Sequence, residues 1–269
     1  MRYGGRSGHV LSQATKKNGW ERTMGTDFTG FPQETLTFLQ DLSQYNTKAW
    51  FEAHRADYEM YYMETARRFV TAIRPKLKKL DATITANPRV NKSLFRINRD
   101  IRFSHDKTPY KTHLDLWFYH GAEKHWGCSG FFFRLQPEQV LLAAGIYTLD
   151  KMGLARYRDA VDDDAAGKAL ALITTRLARK GYKLGGQHYK KVPRGYTDEH
   201  SRAHLLKHKS LYVSVETSLP EEIATPAFTK WCNTHYKAML PLHKWLVEYA
   251  QVNSSTSSDW QQRTDKSIQ

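Results

Sequence analysis

The chain has 269 residues and a formal net charge of +14 at pH 7, and 40% of its residues are hydrophobic. This length and apolar content support a sizeable core, but the longest apolar run, residues 140–146, is far shorter than the roughly 20 residues that cross a bilayer, which excludes a transmembrane helix. Two cysteines are too few for a disulfide framework or a zinc knuckle, so we expect a soluble cytoplasmic protein with no membrane partner.

The two ends of the chain differ from its middle. Residues 1–27 are rich in Gly, Ser, Thr and Lys and lack a periodic apolar pattern, which predicts a flexible N-terminal extension. Residues 251–269 are polar and rich in serine, which predicts a disordered tail. Residues 28–250 contain no internal repeat and no linker, so we expect them to form a single domain.

The first part of this domain has helical spacing. Pro32 suits the first turn of a helix that ends near residue 46. Thr47 is a candidate N-cap for a second, longer helix, in which Pro75 should force a kink or a fresh start. Residues 81–89, which contain an Asn-Pro step, are predicted to be a loop.

The middle of the chain has the short alternating and aromatic runs that are typical of strands. We expect strands over four segments: residues 114–119, 130–135, 139–147 and 211–215. Helical spacing returns over residues 152–177, with a break at three aspartates, and over residues 220–249. The predicted fold class is therefore α+β: a single domain with a central, mainly antiparallel sheet, N-terminal helices and a long C-terminal helix.

The positive charge is concentrated in two segments of the domain. Lys and Arg exceed Asp and Glu by four over residues 89–124 and by seven over residues 179–209. Eleven of the fourteen excess charges therefore lie in the part of the chain that we expect to be ordered. The electrostatic field of such a concentration of positive charge favours anionic partners. Charge alone is also compatible with a surface that only keeps the protein in solution.

The densest polar run, residues 96–113, lies in the first basic segment and also carries the apolar anchors Ile97, Ile101 and Phe103. Burying the anchors would draw charged neighbours partly out of water, where charges must be paired. Either the arginines and aspartates neutralise one another, or a surplus of positive charge awaits an anionic ligand.

Read as an extended strand, this run places Arg96, Asp100 and Arg102 on one face. An ionised Asp100 between two guanidiniums would be a poor general base and a good orienting group. A turn at residues 108–109 would then return the chain toward the same face, which gives the groups of an anion site. The candidate ligand-binding residues of the run are Arg96, Arg99, Arg102, Asp106, Lys107 and Lys111.

Two other interpretations of the run stay open. In the first, the protein is an enzyme in which His113 or His105 is the acid or base and Tyr110 or Asp106 assists, with Asp100 as a further candidate. No nucleophile motif accompanies these residues. In the second, the Arg/Asp network only stabilises the fold.

The second basic segment adds Arg194, in a loop shaped by neighbouring proline and glycine, and His200 to the candidate ligand-binding set. It also has three histidines at a spacing of four: His200, His204 and His208. No carboxylate shares their stripe, so we predict no metal site. No dinucleotide fingerprint, P-loop or Gly-x-Ser-x-Gly elbow is present either, and the cofactor and oligomeric state stay open.

Residues 96–103 read Arg-x-x-Arg-Asp-x-Arg-Phe and residues 106–110 read Asp-Lys-x-x-Tyr. Together with Lys111 and His113, this pattern resembles the signature of a widespread family of uncharacterised bacterial and fungal proteins, known only as a domain of unknown function. The likeness extends to residues 28–32, 50–51, 192–196, 200 and 205–207, and so covers about residues 28–250. It implies a single domain and a start near Met24, and it implies no activity.

The sequence thus favours an anion-binding site built from Arg96, Arg99, Arg102 and Lys107, positioned by Asp100 and Asp106, with Arg194 approaching from the later loop. We expect a phosphate-bearing ligand, a nucleotide or nucleic acid. The alternatives are an enzyme that uses His113 or Tyr110 for proton transfer on an anionic substrate, and a structural or interaction module.

Overall fold

A computed structural model describes residues 27–122, 124 and 126–251. Its helices are α1 (Gln33–Gln44), α2 (Lys48–Ala53), α3 (Arg55–Asp57), α4 (Thr65–Leu80), α5 (Lys151–Asp162), α6 (Asp164–Arg179), α7 (Ala203–Leu206) and α8 (Phe228–Tyr249). A π-helical turn, Tyr58–Glu64, joins α3 to α4. The strands are β1 (Ile84–Thr85), β2 (Leu114–His120), β3 (Gly130–Leu135), β4 (Gln139–Ile146), β5 (Lys183–Gln187) and β6 (His208–Ser218).

The strands form one six-stranded sheet in the order β1-β2-β3-β4-β6-β5, and every neighbouring pair is antiparallel. The predicted α+β class, with N-terminal helices and a long C-terminal helix, is therefore confirmed. No helix in the described residues is long and apolar enough to cross a membrane.

One face of the sheet forms the core with the helices. Phe133 of β3 is fully buried at its centre and stands opposite Leu116 of β2 and Leu142 of β4. Its ring lies 4.9 Å from Phe69 of α4 and 6.1 Å from Phe228 of α8, measured between centroids. The period-two alternation of β3 thus turns Phe133 toward the helices.

The other face, which we call the open face, carries the alternate side chains of the same strands. Asp115 and Trp117 of β2 stand opposite Arg134 and Phe132 of β3. Phe132, Arg134 and, further across the sheet, Tyr212 are all partly exposed. Polar and aromatic side chains on this face are therefore available to a ligand.

Several local predictions are confirmed by the structure. The hydroxyl of Thr47 accepts a hydrogen bond from the backbone N–H of Trp50, 3.2 Å away, and so caps α2. Strand β3 has the predicted bounds, and β2, β4, α5 and α6 lie within one to two residues of theirs. Asp163, in the predicted break, caps α6 by accepting from the N–H of Ala166.

Helix α4 runs through Pro75 without a fresh start, and Pro75 lies on its exposed face, where water can hydrate the carbonyl that loses its partner. Three other predictions about local structure are wrong. The loop at residues 81–89 contains β1. The last helix begins at Phe228, after a short 3-10 turn, instead of at residue 220. The extended strand at residues 96–104 is an irregular loop.

Strand β5 was not predicted, because its two glycines interrupt the apolar pattern that is typical of a strand. Gly185 stands opposite Tyr212 of β6, and a Cβ atom at Gly185 would lie 2.4 Å from the Tyr212 ring. The glycine therefore leaves room for the aromatic side chain of the neighbouring strand. The predicted N-terminal extension (apart from the exposed Asp27) and nearly all of the predicted tail lie outside the described residues; within that tail, Gln251 is buried.

Candidate functional site

Residues 97–111 fold back on themselves as an irregular hairpin, which we call the signature hairpin. The N–H of Arg99 donates to the carbonyl of Pro109 at 2.9 Å, and the N–H of Lys111 donates to the carbonyl of Ile97 at 2.8 Å. Ile97 and Tyr110 are buried, and the Tyr110 ring stacks on Phe51 of α2 at 4.1 Å. The base of the hairpin is thus anchored in the core.

Asn46 clamps this base from the loop between α1 and α2. Its amide donates to the carbonyl of Tyr110 at 2.9 Å and accepts from the N–H of Tyr110 at 3.0 Å. We expect Asn46→Ala to lower the free energy of unfolding by about 1–3 kcal/mol, because both backbone groups of a buried residue lose their partner. Urea denaturation measures this loss, with Asn98→Ala, an exposed hairpin residue, as the control. Equal losses in the two variants would contradict the clamp.

Two arginines of the signature hairpin are paired within it. Arg99 donates to the carboxylate of Asp106 and to the hydroxyl and carbonyl of Thr108. The backbone N–H of Thr108, together with Arg99, lowers the pKa of Asp106 to about 2. The Arg99–Asp106 pair therefore closes the hairpin, as the self-neutralising interpretation requires.

Arg102 makes a two-pronged contact with Asp100, at 3.0 and 2.7 Å, on the exposed tip of the hairpin. This contact lowers the pKa of Asp100 to about 2, so Asp100 is ionised near neutral pH and is a poor base there. Lys107 donates to the carbonyl of Ile101, and Phe103 beside Arg102 is 94% exposed. The apolar anchor expected at Phe103 is therefore in solvent.

On the open face, Asp115 joins a strand residue to the end of the signature segment. Arg134 donates to both carboxylate oxygens of Asp115, at 2.7 and 3.0 Å, and Nε2 of His113 lies 3.1 Å from the same carboxylate. Burial raises the pKa of Asp115, but the hydrogen bonds and charges of His113 and Arg134 lower it by more. The pKa of Asp115 is therefore below its ordinary value. This arrangement orients His113.

Lys111 and Lys124 flank one aromatic ring at the edge of the open face. The ammonium of Lys111 lies 5.1 Å and that of Lys124 4.2 Å from the centre of the Phe95 ring. Burial lowers the pKa of both. For Lys111 the charge of Asp115 partly opposes this lowering, and for Lys124 the charge of Lys111 adds to it. Among the described residues, no carboxylate lies within ion-pair distance of either ammonium.

Further aromatic rings continue this surface. Trp117 and Trp126 stack at 5.3 Å with an interplanar angle of 11°, and Arg134 lies over the Phe132 ring. We call the whole set the cationic aromatic patch: Phe95, Lys111, Trp117, Lys124, Trp126, Phe132 and Arg134. Arg96 lies next to it and is exposed. The patch combines positive charge with planar rings on the surface of the protein.

The structure does not bring Arg194 into this cluster. The signature hairpin precedes β2, whereas Arg194 follows β5, the edge strand that lies four strand spacings, or about 19 Å, from β2 in the sheet. His200 is used structurally: its Nε2 lies 3.1 Å from Asp162, and its Nδ1 accepts from the N–H of Arg202. Arg202 in turn donates to carbonyl groups at the end of α5.

The three spaced histidines do not form a stripe, because α7 spans only Ala203–Leu206. His208 is buried, and its Nδ1 lies 3.1 Å from the carbonyl of His204. Tyr110, the other catalytic candidate, is buried at the hairpin base, which raises its pKa. Of the catalytic candidates in this run, His113 is the one whose ring is held by a buried carboxylate.

Sequence reasoning missed a cluster formed by Asp81, His120 and His243. One oxygen of Asp81 lies 2.8 Å from Nδ1 of His120 and 2.9 Å from Nε2 of His243. The bond with His243 contributes most to a pKa of Asp81 well below its ordinary range. The three residues are far apart in the chain and share no motif, so only the tertiary fold reveals them.

These features define a class of α+β protein: an antiparallel sheet with helices on one face, a paired signature hairpin and a cationic aromatic patch. The chain belongs to the family described as conserved hypothetical protein (DUF2461), whose model matches residues 34–245. The predicted membership in a domain-of-unknown-function family is thereby confirmed, while the match does not test the individual signature residues. No curated protein and no solved structure matches the chain.

Proposed function

We propose that the open face binds an anionic ligand that carries planar rings, in the class of nucleotides or single-stranded nucleic acid. The observation that supports this proposal best is the placement of Lys111 and Lys124 beside Phe95, with no carboxylate paired to either ammonium in the described residues. Two like charges held together and partly out of water repel each other. A phosphate between them would relieve that repulsion.

The rings of the patch supply the second half of the recognition. Every nucleobase has a π-face, and stacking on an aromatic side chain contributes about 1–3 kcal/mol per base. Trp126 is 54% exposed and stacks on Trp117, so its outer surface is free for such contact. Positive charge beside aromatic rings is typical of proteins that bind single-stranded nucleic acid without sequence preference.

The signature hairpin borders this surface and extends its positive charge. Arg96 is close enough to Lys111 for its charge to lower the pKa of that lysine. Arg99, Arg102 and Lys107 contribute less, because Arg99 and Arg102 already have carboxylate partners and Lys107 donates to a backbone carbonyl. Arg194 and His200 follow β5 at the other edge of the sheet, and His200 pairs with Asp162, so neither is part of the cationic aromatic patch.

The test is binding of fluorescent oligo-dT and of a fluorescent ATP analogue to the full chain at several salt concentrations. Lys111→Met combined with Lys124→Met should weaken binding at least about tenfold and reduce the slope of log K against log salt by about 1–2. Lys168→Met is the matched control, because Lys168 is exposed and pairs with Asp164 on α6. If the wild-type chain binds neither probe at any salt concentration, the proposal is wrong.

The pairing of His113 with Asp115 supports a second candidate function, proton transfer on the same bound anion. A carboxylate that fixes the imidazole is the arrangement that general acid–base catalysis uses. If a nucleotide is turned over, His113→Ala should lower kcat by about 10²–10⁴-fold, as the loss of a general acid–base group does. An unchanged kcat would leave binding as the function of the open face.

A further inference from the structure

We propose that Asp81, His120 and His243 form a binding site for one divalent transition-metal ion, with zinc as the preferred occupant. The site is separate from the cationic aromatic patch, since His120 and His243 lie on the core side of the sheet at the end of β2. The proposal does not depend on the proposed function of the open face.

The three ligand atoms come from three elements that the fold brings to one point. Asp81 is the C-cap residue of α4, His120 is the last residue of β2, and His243 lies in α8. All three ligand atoms lie within 4.8 Å of one another. Two imidazole nitrogens and one carboxylate oxygen are a ligand set that suits zinc or iron(II), and not calcium or magnesium, which prefer oxygen ligands.

Hydrogen bonds from neighbouring residues orient two of the three ligands, His243 and Asp81. His243 is fully buried, and its Nδ1 lies 2.9 Å from the hydroxyl of Ser129, which leaves Nε2 to face Asp81. The backbone N–H of Ser129 donates to the side-chain carbonyl of Gln251 at 2.9 Å. Metal-bound histidines usually have such a partner on the second ring nitrogen.

Asp81 is supported in the same way. Its second carboxylate oxygen accepts from the N–H of Thr83 at 2.8 Å and from the Thr83 hydroxyl. The first oxygen is therefore directed at the two imidazoles. A buried ligand ring and an anchored carboxylate are what a site with fixed geometry requires.

The spacing of the ligand atoms fits an ion after a small expansion. Bonds of about 2.0–2.1 Å in a tetrahedral zinc site place ligand atoms about 3.3 Å apart. The present separations from the Asp81 oxygen are 2.8 and 2.9 Å, the lengths of hydrogen bonds whose protons the ion would replace. The side chains of Asp81 and His120 are each 16% exposed, so a water molecule can reach the ion from solvent as its fourth ligand.

The competing explanation is a hydrogen-bonded tie between α4, β2 and α8 that binds no ion. Isothermal titration of the chelator-treated full chain, without a histidine tag, with ZnCl₂ alone separates the two. A metal site predicts one zinc per chain with a dissociation constant of about 1 µM or below, and a higher thermal midpoint with zinc. With CoCl₂ in place of ZnCl₂, the chain should show the visible absorption bands that are typical of a four-coordinate cobalt(II) ion.

Variants assign the binding to these residues. His120→Ala should weaken zinc binding more than about 100-fold, and Ser129→Ala, which removes only the support of His243, about 10–100-fold. The matched control is His200→Ala, because His200 pairs with Asp162 at a similar 18% exposure and should leave zinc binding unchanged.

Three results would overturn the proposal: no stoichiometric zinc binding by the wild-type chain, equal affinity in His120→Ala, or an equal loss in His200→Ala. If His120→Ala fails to fold by circular dichroism, Ser129→Ala decides in its place. An unchanged affinity in that folded variant would also count against a site built on His243.

Discussion

Replacing Asp115 by Ala is expected to lower the free energy of unfolding by about 3–5 kcal/mol near pH 7. The Asp115 side chain is only 7% exposed and accepts two hydrogen bonds from Arg134 across the β2–β3 ladder. Its removal leaves the guanidinium of Arg134, which is only 33% exposed, without its counter-charge. Urea denaturation followed by tryptophan fluorescence measures the loss.

Asp100→Ala is the matched control for this prediction. Asp100 makes the same two-pronged contact with an arginine, Arg102, but both side chains are largely exposed. Exposed ion pairs contribute little to stability because water screens them, so this variant should be nearly as stable as the wild-type chain. Equal losses in the two variants would show that burial does not determine the contribution of the Asp115 pair.

The dependence on pH follows from the lowered pKa of Asp115. Burial raises that pKa, but His113 and Arg134 outweigh burial, so folding favours the ionised carboxylate. Its contribution is present above the ordinary value of 3.8 and is lost as the pH falls through the lowered pKa of the folded state. The difference in stability between the wild-type chain and Asp115→Ala should therefore shrink only below about pH 4, which denaturation at several pH values measures.

The sequence predicted the charged groups of the site better than it predicted their partners. It left open whether the run at residues 96–113 is self-paired or short of negative charge, and the structure contains both arrangements. Arg99 and Arg102 are paired within the signature hairpin, while Lys111 at its end meets Lys124 from the β2–β3 connection. Cross-strand neighbours such as Asp115 and Arg134 are set by the register, which local periodicity does not fix.

The same distinction explains which elements were found. Strand β3 is a six-residue run with three successive phenylalanines, a composition typical of strands, so its local sequence is sufficient. Strand β5 contains two glycines and is recognisable only beside Tyr212. The cluster of Asp81, His120 and His243 depends on contacts between α4, β2 and α8, so no window of the sequence contains its signal.

The second large effect is expected for Phe133→Ala, which should lower the free energy of unfolding by about 3–5 kcal/mol through the cavity that it leaves in the core. Phe133 is fully buried among the rings of Phe31, Phe69 and Phe228. Urea denaturation measures the loss. The folded fraction of the variant should bind oligo-dT as tightly as the wild-type chain does.

The adjacent residue provides the control, because one step along β3 reverses the face of the sheet. Phe132 is partly exposed on the open face, where Arg134 lies over its ring, so Phe132→Ala should lose less than half as much stability. It should instead weaken binding of oligo-dT, because it removes a ring from the cationic aromatic patch. If Phe132→Ala is as unstable as Phe133→Ala and binds oligo-dT normally, the open face belongs to the core and the binding surface lies elsewhere.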